Sequence, residues 1–135
     1  FLAPNDVKNI FEKIESVNNN KILITERGTF FGYNNLINDF RSLEIMKQFK
    51  YPVIFDGTHS VQQPGGLGDK SGGKREYVAP LCKAAVSVGV AGIFLETHND
   101  PDNAPSDGPN MINLKDLKKL LAELKEFDKI AKKNA

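Results

Sequence analysis

The sequence predicts an α/β fold built on parallel strands. Three observations carry this. Apolar residues recur at helical spacing in four segments, short β-branched runs lie between them, and the two kinds of segment alternate in the order αβαβαβα. Such alternation sets successive strands side by side in parallel, joined by right-handed crossovers.

Val7, Ile10, Phe11, Ile14 and Val17 share one face of a first helix. Asn5 or Asp6 can cap its start, since a short polar side chain accepts from the free N–H groups of a first turn. Residues 18–20, all Asn, can end it. "KILITERG" (21–28) reads as a buried strand with Glu26 and Arg27 at its carboxyl end. A second helix is expected over 38–50, with Phe40, Leu43, Met46 and Phe49 inward. "YPVIFDGTHS" (51–60) is the second strand, apolar first and polar last. After a glycine-rich stretch, Val78, Leu81, Cys82, Ala85 and Val88 mark a third helix. "VAGIFLETHND" (90–100) is the third strand, ending in Glu96 and His98. The last helix carries a stripe of Leu114, Leu117, Leu121, Leu124 and Phe127, with Asn113 as N-cap and Asp116 as its capping-box partner.

A chain of 135 residues suits one domain. A closed eightfold βα barrel typically needs about 250 residues. Three strands therefore fit a small open α/β domain or the last part of a barrel, and a start at Phe1 instead of Met favours the second. Eighteen basic and seventeen acidic residues nearly cancel, which argues against a nucleic-acid surface. No apolar run approaches the ~20 residues of a membrane span, and no signal-peptide pattern is visible. The single Cys82 excludes an internal disulfide and fits a reducing cytoplasm.

Each strand ends in ionisable residues: Arg27, then Asp56 and His59, then Glu96. Ligands bind at the carboxyl ends of parallel strands in barrels and open sheets alike. His59, Glu96 and Asp107 make a mixed nitrogen and oxygen set suited to a divalent metal such as Zn²⁺, Mn²⁺ or Fe²⁺. Singly, each also reads as a structural or solvated residue. His98 is assigned a supporting or structural role. Arg27 closes an apolar strand and needs an anionic partner there. Either Glu26 or Asp56 pairs with it, or it clamps a phosphate or carboxylate through its two-pronged fork.

Gly68-x4-Gly73-Lys74 approaches a phosphate-binding P-loop, but Arg75 stands where that motif needs a hydroxyl. A surface loop is the plain alternative. A mobile lid fits better, with Gly65, Gly66, Gly68, Gly72 and Gly73 as hinges and Asp69, Lys70 and Lys74 as its charges. Cys82 falls on an apolar face and reads as core, not as a nucleophile.

"ERGTFFGYNNL", "PVIFDGTHSVQQPGGLGDKSGGKRE" and "GIFLETHNDPDNAPSDGPN", with the spacing between them, resemble 3-deoxy-D-manno-octulosonate 8-phosphate synthase over essentially the whole chain. The 3-deoxy-arabino-heptulosonate 7-phosphate synthases are related and share a similar metal constellation. The resemblance implies a (β/α)8 TIM barrel, of which residues 1–135 are the C-terminal part with strands six to eight. It implies a cytoplasmic, homotetrameric transferase of lipopolysaccharide biosynthesis, one that joins phosphoenolpyruvate to arabinose 5-phosphate and releases phosphate.

By the same resemblance Arg27 grips the phosphate of phosphoenolpyruvate, and His59, Glu96 and Asp107 are three of four ligands of a divalent metal. Asp56 and Gln62 line the site with His59. Residues 63–74 are the mobile cover, with Asp69, Lys70 and Ser71 among its substrate contacts. The wording "QQPGGLGDKSGG" is closer to metal-dependent members, although the first-strand Cys or Asn that defines the class is not in this chain. Nor are the lysines that hold phosphoenolpyruvate, or the Asn-Arg-Ser segment that binds the sugar phosphate. The chain alone is therefore expected to be inactive. The competing reading is an incomplete α/β fragment or assembly module that keeps site residues by descent.

Overall fold

The computed structural model describes residues 2–30, 33–66 and 72–133. In chain order its elements are α1 (Val7–Glu15), β1 (Ile24–Glu26), β2 (Thr29–Phe30), β3 (Leu36–Ile37), α2 (Phe40–Lys47), β4 (Val53–Asp56), β5 (Gln62–Gln63), β6 (Gly72–Gly73), α3 (Val78–Val88), β7 (Gly92–Phe94), β8 (Thr97–His98), β9 (Ile112–Asn113) and α4 (Leu114–Lys133). The four helices and three principal strands follow the expected order. The two-residue ladders do not appear in a periodicity analysis, because so few residues carry no period.

Local chemistry sets the helix ends. Asp6 precedes α1 without a capping bond; a 3-10 turn with Pro4 at its head starts the helix instead. Beyond α1 the chain turns through Asn18 at φ 59°, a left-handed conformation that Asn tolerates. Asp39 caps α2 by accepting from the Arg41 N–H, so the helix begins later than expected. Gly89, at φ 88°, closes α3. The Asn113 side chain accepts from the Lys115 N–H at 3.1 Å and caps α4. Asp116 makes no return bond, so the capping box is only half present.

The main sheet has the order β1-β4-β7, all parallel, with Glu26 opposite Phe55 and Phe55 opposite Ile93. Spatial order thus follows chain order, and β1 and β7 are its edges. Val53 and Phe55 point to one face and are 2% and 0% exposed. Residues of all four helices, including Phe11, Leu43, Val78, Cys82, Ala85 and Leu124, join them in one apolar core. Burying a side chain such as Phe55 contributes roughly 1.5–3 kcal/mol. Burial pushes the Cys82 thiol up to about 12, with the Asp56 charge adding to the shift, so it stays protonated inside the core.

The other face is bare. Thr25 is exposed, Ile54 is half-buried and Phe94 is 45% exposed. The expectation of a buried first strand is therefore corrected: β1 is an edge strand covered on one face. A similar correction applies to α4. Leu120 and Leu124 are buried, while Leu114 and Leu121 are exposed. The apolar surface of this helix spans two adjoining faces, and only one packs into the core. The other, with Leu117 and Leu121, lines a groove of about 750 Å³ beside Val90 and, in the edge strand β7, Ile93. No helix among the described residues is long and apolar enough to cross a membrane.

Candidate active site

The carboxyl ends of β4 and β7 and the loops beyond them hold the ionisable residues. After β4 the chain makes a 3-10 turn over His59–Val61. Asp56, the last residue of β4, shapes that turn. One of its oxygens accepts from the His59 N–H at 2.9 Å and the other meets the His59 Nδ1 at 2.7 Å. A carboxylate can only accept, so Nδ1 donates to it, and in the neutral imidazole the lone pair is then on Nε2. Nε2 faces a Glu96 oxygen at 3.6 Å, and Phe94 stacks on the ring with centroids 5.9 Å apart.

Glu96 is held by Thr58, whose fully buried hydroxyl accepts from the Glu96 N–H at 2.8 Å. Asp107 enters from the loop before β9. Its backbone is left-handed, φ 52°, and its carbonyl accepts from the Asn110 and Met111 N–H groups. Together His59, Glu96 and Asp107 offer one donor atom each within 4.8 Å of one another.

The donor set fits a divalent cation. A tetrahedral ion with bonds of about 2.1 Å spaces its donors about 3.4 Å apart. The His59–Glu96 separation of 3.6 Å is already close to that. The second Glu96 oxygen is buried with no hydrogen-bond partner, which costs roughly 1–3 kcal/mol unless something compensates it.

Arg27, just past β1, lies on the same rim. Neither expected carboxylate pairs with it: Glu26 accepts from the Gly28 N–H, Asn38 and Ser42, and Asp56 is engaged by His59. Among the described residues the only partner of the guanidinium is Gln62, whose Oε1 accepts from Nη2 at 3.0 Å. The Gln62 Nε2 donates in turn to Asp107 at 2.8 Å. His98 Nδ1 accepts from the Asp100 N–H at 3.0 Å, a local turn contact.

The glycine stretch is rooted in the antiparallel pair β5–β6, with Gln62 opposite Gly73. Gly73 has to be glycine here, because a Cβ would fall 1.4 Å from the buried Asn110 side chain. Gly68, Asp69, Lys70 and Ser71 lie outside the described residues.

Sequence reasoning passed over the supports of this rim. Besides Thr58, these are Glu26, Asn38 and Ser60. Asn38 donates to both Glu26 and Ser60, and Ser60 donates to the Asp56 carbonyl, tying the tip of β1 to that of β4. These links span 12 and 22 residues, and no local pattern announces them. For Thr58 and Ser60 the available signal was a run of small polar residues directly after an apolar strand, in "DGTHS".

A family model described as the DAHP synthetase I family matches residues 1–133. The 2-dehydro-3-deoxyphosphooctonate aldolases of Bartonella henselae and Bartonella quintana are 62% and 61% identical to this chain over 133 residues. That of Rickettsia bellii is 61% identical over 132 residues. Each alignment covers 98% of this chain and 48% of the relative, so the chain spans about half the length of the curated relatives it matches.

Proposed function

Because this chain belongs to the DAHP synthetase I family, we propose that it is the C-terminal part, strands six to eight, of a (β/α)8 barrel that makes 3-deoxy-D-manno-octulosonate 8-phosphate. The substrates are phosphoenolpyruvate and arabinose 5-phosphate, and the products are the eight-carbon keto acid phosphate and inorganic phosphate. We assign the intact protein to the cytoplasm, to lipopolysaccharide biosynthesis and to a homotetramer, on the family resemblance. The 62% identity to an aldolase named for an octonate supports the eight-carbon product over a seven-carbon one.

The chemistry balances as follows. The π electrons of phosphoenolpyruvate form a bond from C3 to the aldehyde carbon, whose oxygen takes up a proton. Water adds at C2, and the hemiketal phosphate then breaks its C2–O bond, leaving the ketone and phosphate. Arg27 neutralises the phosphate through donors that no carboxylate among the described residues occupies, and its fork suits that ligand. Asp56 keeps the His59 proton on Nδ1, so that Nε2 faces the site as an electron-pair donor. His59, Glu96 and Asp107 would hold a divalent metal, Zn²⁺, Mn²⁺ or Fe²⁺, which supplies Lewis-acid activation of a water or carbonyl oxygen. Gln62 lines the site between the two charged groups. We assign Asp69, Lys70 and Ser71, between β5 and β6, to substrate contact. The bare sheet face and the two sheet edges are the surfaces on which the remaining strands of a barrel would close.

The convergence of His59, Glu96 and Asp107 beside an arginine that has no carboxylate partner among the described residues carries this reading. The test is phosphate release by the full-length protein, with the product identified by mass. An eight-carbon product from the five-carbon sugar phosphate is expected. A seven-carbon product from an aldose phosphate one carbon shorter would move the protein to the heptulosonate branch. Full activity in a sample shown by elemental analysis to be metal-free would remove His59, Glu96 and Asp107 from the role of ligands. Turnover by residues 1–135 alone would overturn the reading of this chain as half of the site.

A further inference from the structure

The Gln62 amide spans the two charged poles of the site. Its Oε1 accepts from Arg27 at 3.0 Å and its Nε2 donates to Asp107 at 2.8 Å. Neither contact can be reversed. A guanidinium only donates and a carboxylate only accepts, so the amide has one permitted orientation. Glu at this position would repel Asp107, and an amine could not accept from Arg27. Gln62 is itself held in place. It opens β5, pairs with Gly73, and is flanked by the Lys74 N–H donating to the Val61 carbonyl at 3.1 Å.

Both poles need holding. Asp107 sits in a left-handed backbone conformation, φ 52°, which costs a non-glycine residue free energy unless its surroundings impose it. Arg27 is followed by Gly28 at φ 90° and has no carboxylate to orient it among the described residues. On each side the bridge leaves capacity for a ligand: the other N–H groups of the guanidinium, and the other lone pairs of the Asp107 carboxylate.

We infer that Gln62 is a positioning residue that couples the anion pole at Arg27 to the cation pole at His59, Glu96 and Asp107. An anion on Arg27 orders the guanidinium, and through it the amide and Asp107. A cation arriving next then loses less conformational freedom on binding, which makes the coupling positive and reciprocal. This rests on the site being an anion-plus-metal centre. Attraction through space between the two ligands also couples the poles, but that part does not need Gln62.

The test measures Mn²⁺ affinity of the full-length protein by electron paramagnetic resonance, with and without saturating inorganic phosphate. Wild type is compared with Gln62→Met, which keeps the volume without the amide, and with Gln62→Ala. Phosphate is expected to tighten Mn²⁺ binding about fivefold or more in wild type, within the usual range of coupling between sites. In both variants the factor should fall to about half of the wild-type factor or less, the remainder being the through-space part, with melting temperatures close to wild type. An undiminished factor in both variants overturns the inference and leaves the metal centre standing. Absence of Mn²⁺ binding in wild type overturns both.

Discussion

The two ends of the sheet use similar residues to opposite effect. At the amino end, Glu15 at the close of α1 accepts from the Tyr51 hydroxyl and from Lys50 at 2.8 Å. Those hydrogen bonds hold its carboxyl below the usual range, and Glu15 raises Lys50 in return. Glu15 and Lys50 there are each other's opposite charge. At the carboxyl end, His59 meets two carboxylates, while among the described residues a buried Glu96 oxygen has no partner and Arg27 has no carboxylate. A satisfied set stabilises the fold and offers nothing to a ligand. An unsatisfied set has a standing energetic cost that a ligand of the right charge relieves.

The comparison is most exposed at Arg27. Arg27→Ala should lower turnover of the full-length protein on the order of 10²–10³-fold, the usual loss when one preorganised charge donor is removed. Its melting temperature should barely move, because among the described residues the side chain has a single hydrogen bond. A variant that unfolds while the remaining folded fraction keeps full turnover would place Arg27 with the stabilising residues.

Asp56 stands between the two kinds of set, being buried and partnered yet acting on a site residue. Asp56→Asn keeps the shape but weakens the hold on the His59 proton. Divalent metal affinity should fall about tenfold, the lower end for a residue supporting a ligand. A chelator competition titration with unchanged affinity would restrict Asp56 to capping the turn after β4.

Tyr51→Phe removes one donor from Glu15 at the amino end. The expected result is a melting temperature lower by about 2–4 °C with kcat and KM unchanged. A change in kcat would mean that the two ends are not independent.

The smallest effect is in pH. The Glu15 pKa is lowered in the folded chain, so its contribution is present above the unfolded carboxylate pKa and is lost as pH falls through the folded one. Thermal melts from about pH 7 down to about pH 3 should therefore show wild type and Glu15→Gln converging on the acid side. A constant gap between them would assign the stability to packing instead of charge.

Much of this was legible in the residues. The positions of α3, β4 and α4, and the gathering of His59 and Glu96 at neighbouring strand ends, follow from period and polarity alone, since parallel strands bring their carboxyl ends together. Burial was the part that sequence left open. The burial of β1 was read from apolarity, as was the single stripe of α4, and apolarity does not say which of two faces finds a partner. Thr25 and Leu121 are exposed because the open sheet face and the groove beside β7 are left uncovered. The capping box of α4 failed differently: Asn113 caps, but Asp116, one methylene shorter than the usual Glu, does not bond back.

By itself, the sequence determined the element order and the parallel sense of the strands, and it placed His59 and Glu96 at neighbouring strand ends, because periodicity and residue chemistry are local properties. Tertiary structure alone decided which of those residues meet. Gln62 reaches Arg27 across 35 residues and Asp107 across 45, and Thr58 holds Glu96 across 38. Such pairings depend on strand register and loop path, which no local window of sequence encodes.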